Sequence, residues 1–235
     1  MNLDKVRILL RRLHLKIGFR AVLGSILSSG LLFAVGTMFL FAWLAEEMLE
    51  GETQRFDETI RSFVHSFASE PLTSLMRVFT ILGSTIFLTA MASCVLAISL
   101  YKSWKRVAAL VATTMAGAVI LDLALKTSFG RARPIPFFDT PTPASYSFPS
   151  GHALFSFCFY GALAWLIAAR LQTQALQIAI WAVAVILVSG IGISRIYLGV
   201  HYPSDVLAGY AAAFVWLFSI VMADSIWTTL QRSSK

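Results

Sequence analysis

Six apolar stretches, near residues 21–45, 79–100, 107–125, 152–169, 175–193 and 206–223, constrain this chain more than any other feature. Each approaches the ~20 residues that an α-helix needs to cross about 30 Å of hydrocarbon. A single segment in lipid can satisfy its own backbone only as a helix. The chain is 57% hydrophobic and 13% charged, against roughly 25% charged in a soluble domain. It therefore reads as all-α: a polytopic membrane bundle of about six transmembrane helices. The seven prolines all fall outside the six stretches, so none interrupts a span. Residues 1–235 read as one integral-membrane domain, with polar motifs within 126–205 and a basic segment at 1–20.

A cleaved signal peptide is the competing reading of the N-terminus. The apolar run of about 25 residues exceeds a signal core of 7–15, and it ends in Trp43 and acidic residues rather than a small-residue cleavage site. A retained first span is expected. The net charge of +7 is a matter of topology, not a nucleic-acid footprint. Twelve basic residues precede span one, fill the second and fourth turns or lie in the tail, and seven lie on the other side. Positive-inside reasoning then places the protein in the cell (inner) membrane, with both termini in the cytoplasm and the active site extracytoplasmic. The basic segment could also hold anionic lipid. Cys94 and Cys158 lie in apolar spans without zinc-type spacing and read as apolar thiols.

After the first span, Phe56, Ile60, Phe63, Val64 and Phe67 recur at helical spacing, with Asp57, Glu58, Arg61 and His65 on other faces. An outer amphipathic helix follows, one that lies in the headgroup layer, covers the bundle mouth or simply packs on the bundle. His65 falls on its polar side, as a solvated residue. The connection 126–151 holds five prolines and no strong periodicity, and long loops on a rigid scaffold often carry function. Gly190, Gly192, Ala208, Gly209 and Ala211–Ala213 suit close helix packing rather than a nucleotide loop. Phe137, Phe138, Tyr146, Tyr197 and Tyr202 lie near the polar clusters and read as interfacial anchors or as walls of a site mouth.

Three polar clusters stand at the ends of these spans. His201 and Asp205, four apart, can share one side of a helical turn near Pro203. Asp205 would then accept from one ring nitrogen and leave the other free, as a carboxylate does beside a catalytic histidine. An interfacial helix anchor is the plainer reading. Pro149-Ser150-Gly151-His152 looks like a helix start whose free N–H groups form an anion site, or a simple capped helix. Lys126 and Arg133, with Arg131 between them, are cations for an anion or side chains snorkelling at the border. Asp122 is placed to pair with Lys126, or to bind interfacial water. Intramembrane ionisable residues are functional candidates by default. Three cations, two imidazoles and a carboxylate are what phosphoryl chemistry uses.

Taken in order, Lys126-TSFGRA-Arg133-Pro134, Pro149-Ser150-Gly151-His152 and Ser194-Arg195-IYLGV-His201-YPS-Asp205 match K-x6-R-P, P-S-G-H and S-R-x5-H-x3-D. This tripartite pattern resembles that of the type 2 phosphatidic-acid phosphatase and vanadium haloperoxidase superfamily. The membrane context makes the chain similar to its lipid phosphatase branch, which includes phosphatidylglycerophosphatases and undecaprenyl-diphosphate phosphatases. The resemblance implies that His201 is a nucleophile forming a phosphohistidine, that Asp205 orients it, and that His152 is the general acid. It likewise implies that Lys126, Arg133 and Arg195, with Ser150 and the Gly151 backbone N–H, grip phosphate oxygens. No metal or other cofactor is implied. The two imidazoles need opposite protonation states, so a bell-shaped pH profile is expected.

The expected activity is hydrolysis of the terminal phosphate of a membrane lipid, with undecaprenyl diphosphate, phosphatidylglycerophosphate or phosphatidic acid as substrates. The expected partners are the lipid phosphate and the bilayer, not nucleic acid. A lipid phosphotransferase using the same site, and a non-catalytic lipid-phosphate binding or transport protein, are the alternatives. Generic apolar positions encode neither the headgroup nor the oligomeric state.

Overall fold

The computed structural model describes residues 30–138 and 144–233. The basic segment 1–20, the start of the first apolar stretch, and Pro141 and Pro143 lie outside them. The described residues form eight helices: α1 (Gly30–Glu50), α2 (Thr53–His65), α3 (Glu70–Leu82), α4 (Thr85–Tyr101), α5 (Lys105–Phe129), α6 (Gly151–Ala168), α7 (Gln174–Tyr197) and α8 (Pro203–Ser233). Five of these (α1 and α5–α8) are long and apolar enough to cross a membrane. The chain is a multi-pass membrane protein.

The second apolar stretch departs from the expectation of one continuous span. It is split into α3 and α4, bent by 47°. Gly83 ends α3, its N–H bonded to Phe79 O, and Ser84 restarts the chain by accepting from Phe87 N through its side chain. Pro71 sits in the first turn of α3, where its missing N–H costs nothing. Hydropathy does not register two capping residues inside an apolar run. Counted as one broken span, the pair brings the total to six.

Helix α6 is the axis of the bundle and packs against α4, α5, α7 and α8. Apart from Leu154, its inward residues are small or aromatic: Ala153, Leu154, Phe155, Cys158, Phe159, Ala162 and Ala164 are buried. Small residues set the helix spacing, as van der Waals packing in lipid requires. At Gly190 a Cβ would sit 2.4 Å from the Phe79 ring, so α3 and α7 approach at a distance only glycine permits. Ala208, Ala211 and Ala213 are likewise buried on α8. Cys158 is buried, whereas Cys94 is exposed on the bundle surface; both are free.

Helix α2 is amphipathic as expected, but its polar side faces in. Asp57 (0% exposed) and Arg61 (4%) are buried, while Phe56 (48%), Phe63 (60%) and Phe67 (58%) are exposed. A helix covering the end of a membrane bundle can show lipid its apolar face and the bundle its polar one. His65 corrects the solvated reading: its ring stacks on Phe137 at 4.0 Å between centroids.

Candidate active site

The C-terminal ends of α5 and α7 and the N-terminal ends of α6 and α8 meet at one end of the bundle, where all three polar clusters converge. Gly130, in the left-handed region with φ 59°, terminates α5 and turns the chain into the 131–150 connection. Its described residues next to the helices are tied down by Ser147 N donating to Arg131 O at 2.8 Å and by Ser150 N donating to Asp205 O at 2.9 Å. At Gly209 a Cβ would lie 2.7 Å from Ser150 O, so α8 presses directly on the start of α6. On the other side, Gly199 has φ 74°, and the chain folds back so that the Val200 and His201 N–H groups both reach Arg195 O. His201 is thereby placed beside Arg195.

His201 is 2% exposed. Its Nδ1 lies 3.2 Å from Asp205 Oδ2 and its Nε2 lies 2.9 Å from Arg133 Nη1. A guanidinium can only donate, so Nε2 is the acceptor and Nδ1 carries the proton toward Asp205. Burial outweighs Asp205 and pushes the imidazole down to about 4 from its usual 6.5. The ring is neutral at physiological pH, with its lone pair turned toward cations. Asp205 Oδ2 also accepts from Ser147 Oγ and from Tyr202 N.

Lys126 Nζ lies 2.8 Å from both Asp122 oxygens, so the pair anticipated from the i,i+4 spacing forms. A Cβ on Gly151 would sit 3.0 Å from Lys126 Nζ and from Asp122 Oδ1. The ammonium therefore stands at the positive N-terminal end of α6, an arrangement that an anion would relieve. Ser150 occupies the N-cap position, yet its side chain makes no capping bond, and its fully buried Oγ has no partner. Arg195 is 6% exposed; Nη1 contacts Thr80 Oγ1 and Nε has no partner. Buried polar atoms without partners are uncommon and call for an explanation. His152 sits in the first turn of α6, within electrostatic reach of Arg195, His201, Lys126 and Arg133. All eight residues singled out from the motifs thus belong to one cluster.

Four members were not anticipated from sequence: Asp57, Thr80, Ser147 and the bridging role of Arg131. Four of the five nearby aromatics are not simple membrane anchors. Tyr197 is buried and stacks on Phe138, Tyr202 lies over Arg131 at 4.1 Å, and Phe137 stands between His65 and Arg61; Tyr146 is exposed.

Residues 107–227 match the PAP2 superfamily. The chain belongs to this family. A lipid A 1-phosphatase of Rhizobium etli is 38% identical over 134 residues, covering 53% of this chain and 52% of the relative. Phosphatidylglycerophosphatase B of Bacillus subtilis is 28% identical over 189 residues, covering 79% of this chain and 92% of the relative. The chain thus spans about half of the first relative and nearly all of the second. The crystal structure of a transmembrane PAP2-type phosphatidylglycerolphosphate phosphatase from Bacillus subtilis superimposes with TM-score 0.75 at 27% identity, covering 82% of this chain and 96% of that one.

Proposed function

We propose that the protein hydrolyses the terminal phosphate of a membrane lipid phosphate or diphosphate without a metal, through a phosphohistidine on His201. The observation that carries this reading is the buried, neutral His201 with Nε2 turned toward Arg133 among Lys126, Arg195 and the start of α6. Nε2 attacks the terminal phosphorus as its bond to the bridging oxygen breaks, the lipid alkoxide oxygen of a monophosphate or the inner phosphate's oxygen of a diphosphate. His152 gives its proton to the leaving oxygen. Asp205 holds Nδ1–H while the imidazole acquires positive charge. Lys126, Arg133, Arg195, the Ser150 hydroxyl and the Gly151 N–H take the non-bridging oxygens. Ser150 and Arg195 supply atoms that have no protein partner at rest. Water then attacks the phosphohistidine with His152 as base, releasing inorganic phosphate. Fixed cations supply the charge stabilisation that metal ions provide in many phosphoryl transfers.

The site belongs to the extracytoplasmic side of the cell membrane on this reading. Lys102, Lys105, Arg106 and Arg170 cluster at the opposite end of the bundle, which positive-inside bias assigns to the cytoplasm. Names of relatives point to lipid A and phosphatidylglycerophosphate as substrate classes. Undecaprenyl diphosphate, a phosphoanhydride, and phosphatidic acid, a phosphomonoester, both end in a terminal phosphoryl group that the same cations would hold.

Phosphate release by the purified protein from these four lipids, in excess chelator and beside His201→Ala, tests the reading. Release abolished by the substitution is expected. No release from any lipid, or release only after magnesium is added, contradicts it.

A further inference from the structure

Asp205 is held from both of its oxygens. Oδ2 serves His201, Ser147 and Tyr202, whereas Oδ1 accepts from Arg131 Nη1 at 2.6 Å. The other end of that guanidinium, Nη2, reaches Asp57 Oδ2 at 2.7 Å. Asp57 comes from α2, is fully buried, and takes Ser204 N at 2.9 Å and Ser204 Oγ at 2.7 Å. Ser204 Oγ lies 2.8 Å from Arg131 Nη1, and the Tyr202 ring covers the guanidinium at 4.1 Å. One cation is shared by two buried carboxylates. It cannot turn to a phosphate oxygen without breaking two ion pairs, which separates its task from that of Lys126, Arg133 and Arg195.

We propose that Asp57 and Arg131 are positioning residues of the reaction: Asp57, from α2, holds Arg131 on Oδ1 of Asp205 and so fixes the carboxylate that orients His201. This rests on His201 being the nucleophile. Without Arg131, Oδ1 loses its donor, the carboxylate is free to rotate, and its undivided charge draws a proton onto His201. The charged groups facing the dyad are Arg133 from the connection, Arg195 from α7 and His152 from α6; Lys126 with Asp122 from α5 stand beside Gly151, Asp57 from α2 holds Arg131, and Arg61 lies over Tyr202. Removing Asp57 and Arg131 together leaves the others and the net charge unchanged.

Arg131→Met alone strands two buried carboxylates and risks misfolding, so the test uses the Asp57→Asn/Arg131→Met double variant of the full chain in detergent. The expected result is a kcat about 10- to 100-fold lower, with KM and inhibition by inorganic phosphate within about twofold, and an acid limb of kcat/KM about one pH unit higher. An unchanged kcat and acid limb would overturn the proposal. So would a parallel fall of kcat, phosphate inhibition and melting temperature, which is what a merely structural pair would give. NMR titration of the histidine side chains, four in this chain, reads the same effect without turnover. His201 protonating about one pH unit higher in the variant supports the proposal even if no lipid is hydrolysed, and an unmoved titration overturns it.

Discussion

Nδ1 of His201 lies 3.2 Å from Oδ2 of Asp205, the carboxylate four residues further on. Arg133 donates to Nε2 and the Asp205 contact keeps the proton on Nδ1, so Nε2 carries the lone pair that attacks in the proposed reaction once Arg133 turns to the phosphate. An asparagine at 205 can offer N–H to Nδ1 and favour the opposite tautomer. Asp205→Asn is therefore expected to lower kcat by about 10²- to 10⁴-fold with KM within about threefold, measured as phosphate release at saturating lipid.

The pH dependence follows from the depressed imidazole. His201 stays neutral, hence nucleophilic, above about 4, so kcat/KM falls as pH drops through that value in the free enzyme. In the proposed reaction His152 must hold a proton to protonate the leaving oxygen, so kcat/KM also falls at higher pH as that proton is lost. The same shift bears on stability. An unfolded histidine titrates near 6.5, so between pH 6.5 and 4 the unfolded chain binds more protons than the folded one. Stability contributed by the buried neutral ring is present above 6.5 and declines as pH falls toward 4. Thermal melting and initial rates across pH 3.5–9 check both consequences.

Ser150→Ala removes a hydroxyl that bonds nothing in the resting protein. Its loss costs little folding free energy but deletes the proposed donor to phosphate, so a roughly 10-fold loss of kcat/KM with an unchanged melting temperature is expected. A fall in melting temperature without a kinetic effect would show that the hydroxyl serves the fold instead.

Gly209→Ala places a methyl 2.7 Å from a backbone atom, Ser150 O, and forces α8 away from the start of α6. Both the Ser150 N–Asp205 O bond and the phosphate-facing turn move with it. Destabilisation of about 1–3 kcal/mol and a loss of most activity are expected in denaturation and phosphate-release assays.

The opposite end of the bundle supplies the control. Arg106 pairs through Nε and Nη2 with Asp224, which is nearly buried. Arg106→Met leaves that carboxylate without its cation, and the melting temperature should fall by about 2–6 °C. kcat should not change.

Much of the cluster was legible because its residues lie within short windows. K-x6-R-P, P-S-G-H and S-R-x5-H-x3-D each specify a local turn, and helical periodicity brings the ends of four spans to one face. What was not legible depends on distant pairings. Arg131 meets Asp57 across 74 positions, and nothing local distinguishes it from a snorkelling arginine. The α3–α4 break turns on Gly83 and Ser84 within an apolar run. The inward polar face of α2 was hidden because periodicity separates two faces without saying which meets the protein. In lipid, the usual rule that the apolar face packs inward does not hold.

In the proposed reaction phosphorus becomes bonded to Nε2 of His201. Rapid mixing of the protein with lipid diphosphate carrying a radiolabelled terminal phosphate, quenched in alkaline detergent because N–P bonds survive base and not acid, tests it directly. A transient, acid-labile label on the peptide containing His201, absent from His201→Ala, is expected. Full turnover without any labelled protein, or label persisting in His201→Ala, would contradict it.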